Sequence, residues 1–143
     1  MNTRLKNREI KVCPVVLRKV GEVYELLLFE HPLADVQLVK GTLESTDESF
    51  ESAALRELEE ESGISNVSSS RYLGYWESGF QNQQWHFVSC EIQDELPNQW
   101  SFFTQDDGGH EFKFFWHQLK TQLNFKCHKV FSDAIKQVEI LCI

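Results

Sequence analysis

The sequence contains no apolar run near the ~18 residues needed to span a bilayer. Its opening, MNTRLKNREIKV, has no apolar stretch of signal-peptide type. Membrane insertion and secretion are disfavoured, and a cytoplasmic location is expected. Cysteine is sparse: Cys13, Cys90, Cys127 and Cys142 lie far apart and form no CxxC pair, so neither a disulfide framework nor a zinc ligand set can be read from them. Bases are outnumbered, 14 against 22 acids at net charge −8, and no basic stripe is visible, which argues against a nucleic-acid partner. Internal repeats, linkers and low-complexity tracts are missing too. What the chain does have is a core: 41% hydrophobic and 13% aromatic residues over 143 positions fit one packed domain spanning residues 1–143.

Residues Glu9 to Val20 and Val23 to Glu30 are rich in Val, Leu and Ile and flank Gly21, which predicts two strands, with His31 and Pro32 ending the second. A short apolar piece, Val36 to Val39, leads into Gly41 and a polar loop through Asp47. Phe50, Ala53, Ala54, Leu55 and Leu58 then recur with helical spacing, and Gly63 is placed to cap the helix. Beyond a serine-rich turn at Ser68 to Ser70, the aromatic and β-branched segments Tyr72 to Trp76, Gln84 to Ile92 and Glu111 to Trp116 read as strands. The segment Gln93 to Gly109 reads as a long loop. From His128 onward, Val130, Phe131, Ala134, Ile135, Val138 and Leu141 trace the apolar face of a last helix. Strands on both sides of one helix, with a second helix at the end, suggest a mixed sheet covered by helices on its two faces.

The acidic charge is concentrated. Between Gly41 and Ile64 stand Glu44, Asp47, Glu48, Glu51, Glu57, Glu59, Glu60 and Glu61 against the single base Arg56. At about 100° per residue, Glu57, Glu60 and Glu61 fall at about 0°, 300° and 40° on the helix, one wedge of roughly 100°. At ~6 Å and an effective dielectric near 20, each pair repels by roughly 3 kcal/mol. Arg56 can reach Glu60 or Glu59, and the helix holds no lysine to offset the other charges.

A solvated acidic face is the simplest reading of such a run. Phe50 and Ala53, however, overlap the same wedge, so it points inward. Carboxylates held against the body of a protein need a metal, an arginine or a proton, and hard oxygen ligands favour Mg²⁺ or Mn²⁺ over zinc.

The string GTLESTDESFESAALRELEEESGI resembles the signature of the Nudix hydrolases: Gly, five residues, Glu, seven residues, Arg-Glu, an aliphatic, any residue, Glu-Glu, any residue, Gly, an aliphatic. Glu48, Arg56, Glu57, Leu58, Glu60, Glu61, Gly63 and Ile64 fill their places. Gly41 departs, preceding Glu48 by six residues, so the loop carries one extra residue. The QLVKG entry and HEFKFFW (His110 to Trp116) also look like the strands that flank the box in many members.

The resemblance implies an α/β/α sandwich with a central mixed sheet. It also implies Mg²⁺-dependent, or Mn²⁺-dependent, hydrolysis of the phosphoanhydride in a nucleoside diphosphate linked to another group, with a dinucleoside polyphosphate as one candidate substrate. Glu57, Glu60 and Glu61 are then metal ligands, joined by the carbonyl of Gly41, and Glu57 or a carboxylate from elsewhere is the base. Arg56 orients the glutamates, and Glu48 holds the loop to the helix start. Glu111 is the best extra carboxylate, with Asp106 and Asp107 behind it; the alternative for Glu111 is an exposed strand-edge acid. His110 is either a base or a turn residue, Lys40 either a phosphate contact or a surface lysine, and Trp76, Trp85 and Phe80 either stack on a base or fill the core. The competing function is a Nudix-fold binding or regulatory module without turnover, although such a module would be expected to lose box acids and here all are present. The expected partner is a small nucleotide, the oligomer a monomer or homodimer.

Overall fold

The computed structural model of the chain describes residues 8–105 and 108–143. Its strands are β1 (Glu9–Val15), β2 (Leu17–Val20), β3 (Val23–His31), β4 (Asp35–Gln37), β5 (Gly41–Thr42), β6 (Val67–Glu77), β7 (Gln83–Ile92), β8 (Trp100–Thr104) and β9 (His110–Gln118). Its helices are α1 (Phe50–Ser62) and α2 (Lys129–Cys142). The order of hydrogen-bonded neighbours is β5-β1-β7-β6 in one sheet and β2-β3-β9-β8 in the other, with β4 beside β3. The first sheet is mixed, because β1 runs parallel to β7 while β5 and β6 are antiparallel additions. The second is antiparallel throughout.

Two-sided burial explains the layering. Successive strand residues point to opposite faces, and in β3 Leu26 and Leu28 enter one apolar cluster while Leu27 and Phe29 enter another. Along β1 and the residue after it, Cys13 and Val15 separate from Val12 and Val16 in the same way, and in β7 Trp85 and Phe87 separate from Val88 and Cys90. The first cluster is closed by Val130, Phe131, Ala134, Ile135 and Val138 of α2. The second is closed by Ala53, Ala54 and Leu58 of α1. The helices therefore cover opposite faces, as a mixed α/β sandwich requires.

Three details differ from the sequence reading. The first apolar stretch is divided at Val16, after which the chain passes from the mixed sheet to the antiparallel one; the Val16 carbonyl accepts a bond from Leu27 N–H (3.0 Å). Ser68 to Ser70 lie within β6, their register shifted by a bulge, instead of forming a turn. Residues 100–104, read as loop, form β8, because aromatic side chains on alternate positions find a face to cover.

Candidate active site

Helix α1 is delimited by local chemistry. Ser49, in extended backbone, accepts a bond from Ser52 N–H (3.0 Å) at the N-terminus. At the other end Gly63 adopts φ 81° and donates its N–H to Glu59 O (3.0 Å). A side chain at Gly63 would also meet the ring of Phe102 at 2.8 Å. Glu48 is exposed, and the capping role expected of it belongs to Ser49.

The helix turns its acids to unequal depths. Glu57 and Glu61 are buried, at 5% and 9% exposure, whereas the Glu60 side chain is 42% exposed and Glu59 faces solvent. Gly41 at the start of β5 abuts Glu57 so closely that a Cβ there would fall inside the Glu57 carboxyl group. Only glycine permits this approach, which leaves the main chain of β5 open beside the carboxylate.

Arg56 organises the outer side. Its Nε donates to Asp47 Oδ1 (3.0 Å) and its Nη2 to Asp47 Oδ2 (2.8 Å), a two-pronged pair. Its Nη1 donates to Glu57 Oε1 (2.7 Å) and lies 3.1 Å from Glu44 and 3.4 Å from Glu60. Asp47 is presented by a turn in which Glu44 N–H donates to Asp47 Oδ2 (2.8 Å) and Asp47 N–H to Glu44 O (3.0 Å). The bond from Arg56 holds the Asp47 carboxyl below its ordinary range, and Asp47 in turn keeps the guanidinium charged. This loop carries the extra residue, and nothing in the spacing of the acids had singled out Asp47.

Glu60 and Glu61 sit in the last turn of α1, where the helix dipole is negative and no base is present. Lys40, immediately before Gly41, attracts Glu61 through space. Burial lowers the Lys40 pKa most, with repulsion from Lys11 acting the same way. Two side chains of β8 fasten the end of the helix: Thr104 Oγ1 donates to Glu60 O (3.0 Å) and Trp100 Nε1 to Ser62 O (3.3 Å), satisfying carbonyls that the helix leaves unpaired. Sequence reasoning missed both residues because it read their segment as loop.

Glu111 is not brought to the helix acids. Phe112 and Phe114 of β9 point into the cluster under α1, so by strand alternation Glu111 stands on the other face, exposed, in a cleft with Glu30, Pro32 and Lys113. His110 shares the face of Phe112, pairs with Thr104 across the strands, and lies against His31 with ring centroids 4.8 Å apart. Asp106 and Asp107 lie outside the described residues. Trp85 is fully buried, with Trp76 edge-on to it, so both belong to the core, while Phe80 is half-buried against His128. Among the described residues no three acidic, histidine or cysteine side chains are grouped closely enough to hold a metal ion as they stand. Among the same residues no helix is long and apolar enough to cross a membrane.

A family model described as the NUDIX domain matches residues 8–134. No curated protein sequence matches. The fold is similar to the NUDIX domain of Shewanella oneidensis NrtR in complex with ADP ribose, with TM-score 0.67 and 15% identity over 93% of this chain and 87% of that one. It is also similar to an ADP-ribose pyrophosphatase from Streptococcus suis, with TM-score 0.64 and 13% identity over 93% and 88%. The C-terminal domain of mouse MUTYH, solved with human PCNA, matches with TM-score 0.62 and 17% identity over 93% and 88%.

Proposed function

The chain belongs to the Nudix family, and from that premise we propose that it is a hydrolase of small organic pyrophosphates, cleaving the phosphoanhydride of a nucleoside diphosphate linked to another group. The observation that carries this reading is the contact of Glu57 with Gly41: a buried carboxylate with Arg56 on one side and an open main chain on the other. The residues suit a divalent cation. They offer hard oxygen donors, a glycine that frees the main chain beside Glu57, and two acids in a helix turn whose dipole is also negative. Glu57, Glu60, Glu61 and the Gly41 carbonyl would hold Mg²⁺ or Mn²⁺. Bound there, the ion supplies charge neutralisation for the diphosphate oxygens and a more acidic water.

The protein's own part is positional. Arg56 aims Glu57 through its 2.7 Å bond, and the two-pronged pair with Asp47 fixes the guanidinium in place. Glu57 would accept the proton from the attacking water or serve as a ligand, and Glu60, the most exposed of the three, would serve as a ligand from the solvent side. Glu111 has no part in this arrangement. The ADP-ribose pyrophosphatase among similar folds makes ADP-ribose the first substrate to test, with dinucleoside polyphosphates next.

A second reading has its own support. Among the described residues no three acids stand close enough to hold a metal ion, and similar folds include NrtR bound to ADP ribose and to a 27mer DNA. It describes a nucleotide-binding module without turnover. Phosphate release from a panel of nucleoside diphosphate derivatives, in Mg²⁺ and in excess EDTA, separates the two. Turnover that requires the metal supports the hydrolase; binding without turnover of any compound overturns it.

A further inference from the structure

The antiparallel sheet ends at β2, which among the described residues has a strand on one side only. Val16 O accepts the Leu27 N–H, and the register sets Arg18 opposite Glu25 and Val20 opposite Val23. In an antiparallel ladder such bonded pairs alternate with unbonded ones, so the N–H and C=O groups of Leu17 and Lys19 point away from β3. A cleft of about 430 Å³ lies beside this edge, with β2 along one wall and Ile92, Asp94 and Leu96 on the other. Asn66 Nδ2 donates to Asp94 Oδ2 and Trp116 Nε1 donates to Pro97 O (3.0 Å), which ties down the far wall.

Arg18 is set for a second carboxylate. Its guanidinium lies over the Trp116 ring, 4.3 Å from the centroid, and its Nε donates to Glu25 Oε1 (2.7 Å). Among the described residues only Nε donates, which leaves Nη1 and Nη2, a pair of donors that suits a two-pronged carboxylate bond. Residues directly opposite each other on paired strands share a face. A strand added to the open edge therefore presents one side chain to Arg18 and, two positions away on either side, one to Val16 and one to Val20. β3 already meets those three residues from the other side with Glu25, Leu27 and Val23. Its alternation of apolar, acid and apolar residues is the pattern to which the open edge is complementary. A second copy of this chain paired about Arg18 would set Arg18 against Arg18, and like charges directly opposite disfavour that pairing.

We infer that β2 takes up an extended peptide of a partner protein as a further antiparallel strand, with one acid bonded to Arg18 and an apolar residue two positions to each side of it. Main-chain bonds run to Leu17 and Lys19, and the apolar side chains cover Val20 at one end and Val16 at the other. Asp94 and Glu95, on the loop wall, repel any further acid and so limit the guest to one. The edge shares no residue with the α1 site, and the inference does not depend on the hydrolase reading.

The test is calorimetric titration of the full chain with the acetylated, amidated peptide Val-Thr-Glu-Thr-Val. Saturable binding at or below millimolar peptide is expected, at least tenfold weaker when Gln replaces Glu. Methylating the main-chain nitrogens of the two Thr residues, which face Leu17 and Lys19, is expected to abolish it. Arg18→Met is expected to lower the affinity at least tenfold and to remove the preference for Glu over Gln. Lys19→Pro takes away an outward N–H at an edge, where a sheet accepts proline, and is expected to cost at least tenfold, whereas Lys19→Val is expected to bind as wild type. No binding at millimolar peptide, equal affinity for the Glu and Gln peptides, or full affinity for the methylated peptide overturns the inference. A wild-type dimer in light scattering that Lys19→Pro dissolves and the peptide does not displace gives the edge to a second copy and overturns it too. Melting temperatures identify a variant that has failed to fold, in which case the Gln and methylated peptides on the wild type carry the comparison.

Discussion

Gly41 occupies space that no other residue can share with Glu57. Gly41→Ala is expected to push the Glu57 carboxyl off β5 and reduce turnover by ~10²-fold or more, the scale for a misplaced acid-base group. Steady-state kinetics at saturating Mg²⁺ check this. Asp47 is the second decisive residue. Its carboxyl is held below the usual range by Arg56, so its contribution to stability is present at neutral pH and lost as pH falls through and below the ordinary carboxylate range. Asp47→Asn is expected to cost about 1–2 kcal/mol at pH 7, and the difference from wild type is expected to shrink as pH falls through that range. Denaturant unfolding at several pH values measures both.

Among elements, α1 was legible in the sequence because two of its determinants are local, a glycine stop and an apolar stripe on a 3.6-residue period, although its cap, Ser49, was not picked out. The same period gave the wedge of Glu57, Glu60 and Glu61, and the solvent-facing position of Glu59 agrees with it. Depth was not legible, because burial of Glu57 and exposure of Glu60 depend on β5 and on what crosses the helix. Nor was β8, whose Trp100–Thr104 run is hidden between Asp, Asn, Pro and Gly residues that read as loop. That strand fixes the end of the helix carrying the acids. Thr104→Val keeps the side-chain volume and removes the bond to Glu60 O. A stability loss of about 1 kcal/mol is expected, with a weaker apparent affinity for Mg²⁺ in turnover assays. Unchanged Mg²⁺ dependence would mean that Thr104 supports the fold alone.

Across the whole molecule, the existence of the longer strands followed from composition, but β8 and the division into two sheets did not. The parallel pairing of β1 with β7 joins Glu9 to Gln83, a long-range partnership that alternation within either strand does not encode. The sandwich also buries His86 and His117, whose pKa values are lowered by desolvation. His86 is bonded to Tyr72 and Gln84, whereas His117 Nε2 has no partner among the described residues. Both take up a proton more readily when unfolded, so stability is expected to fall as pH drops through the ordinary histidine range. His117→Leu is expected to reduce that fall, and its melting temperature is expected to exceed that of wild type by more at pH 5.5 than at pH 8. Differential scanning calorimetry at the two pH values decides it.

The central claim is that the inward acids of α1 perform metal-dependent anhydride hydrolysis, and the most direct measurement compares Glu57→Gln with Glu59→Gln under saturating Mg²⁺. The two positions share a helix and a charge change but differ in burial. Turnover of a nucleoside diphosphate derivative is expected to fall by ~10²-fold or more in Glu57→Gln and to remain near wild type in Glu59→Gln. Equal defects, or a fully active Glu57→Gln enzyme, would contradict the account.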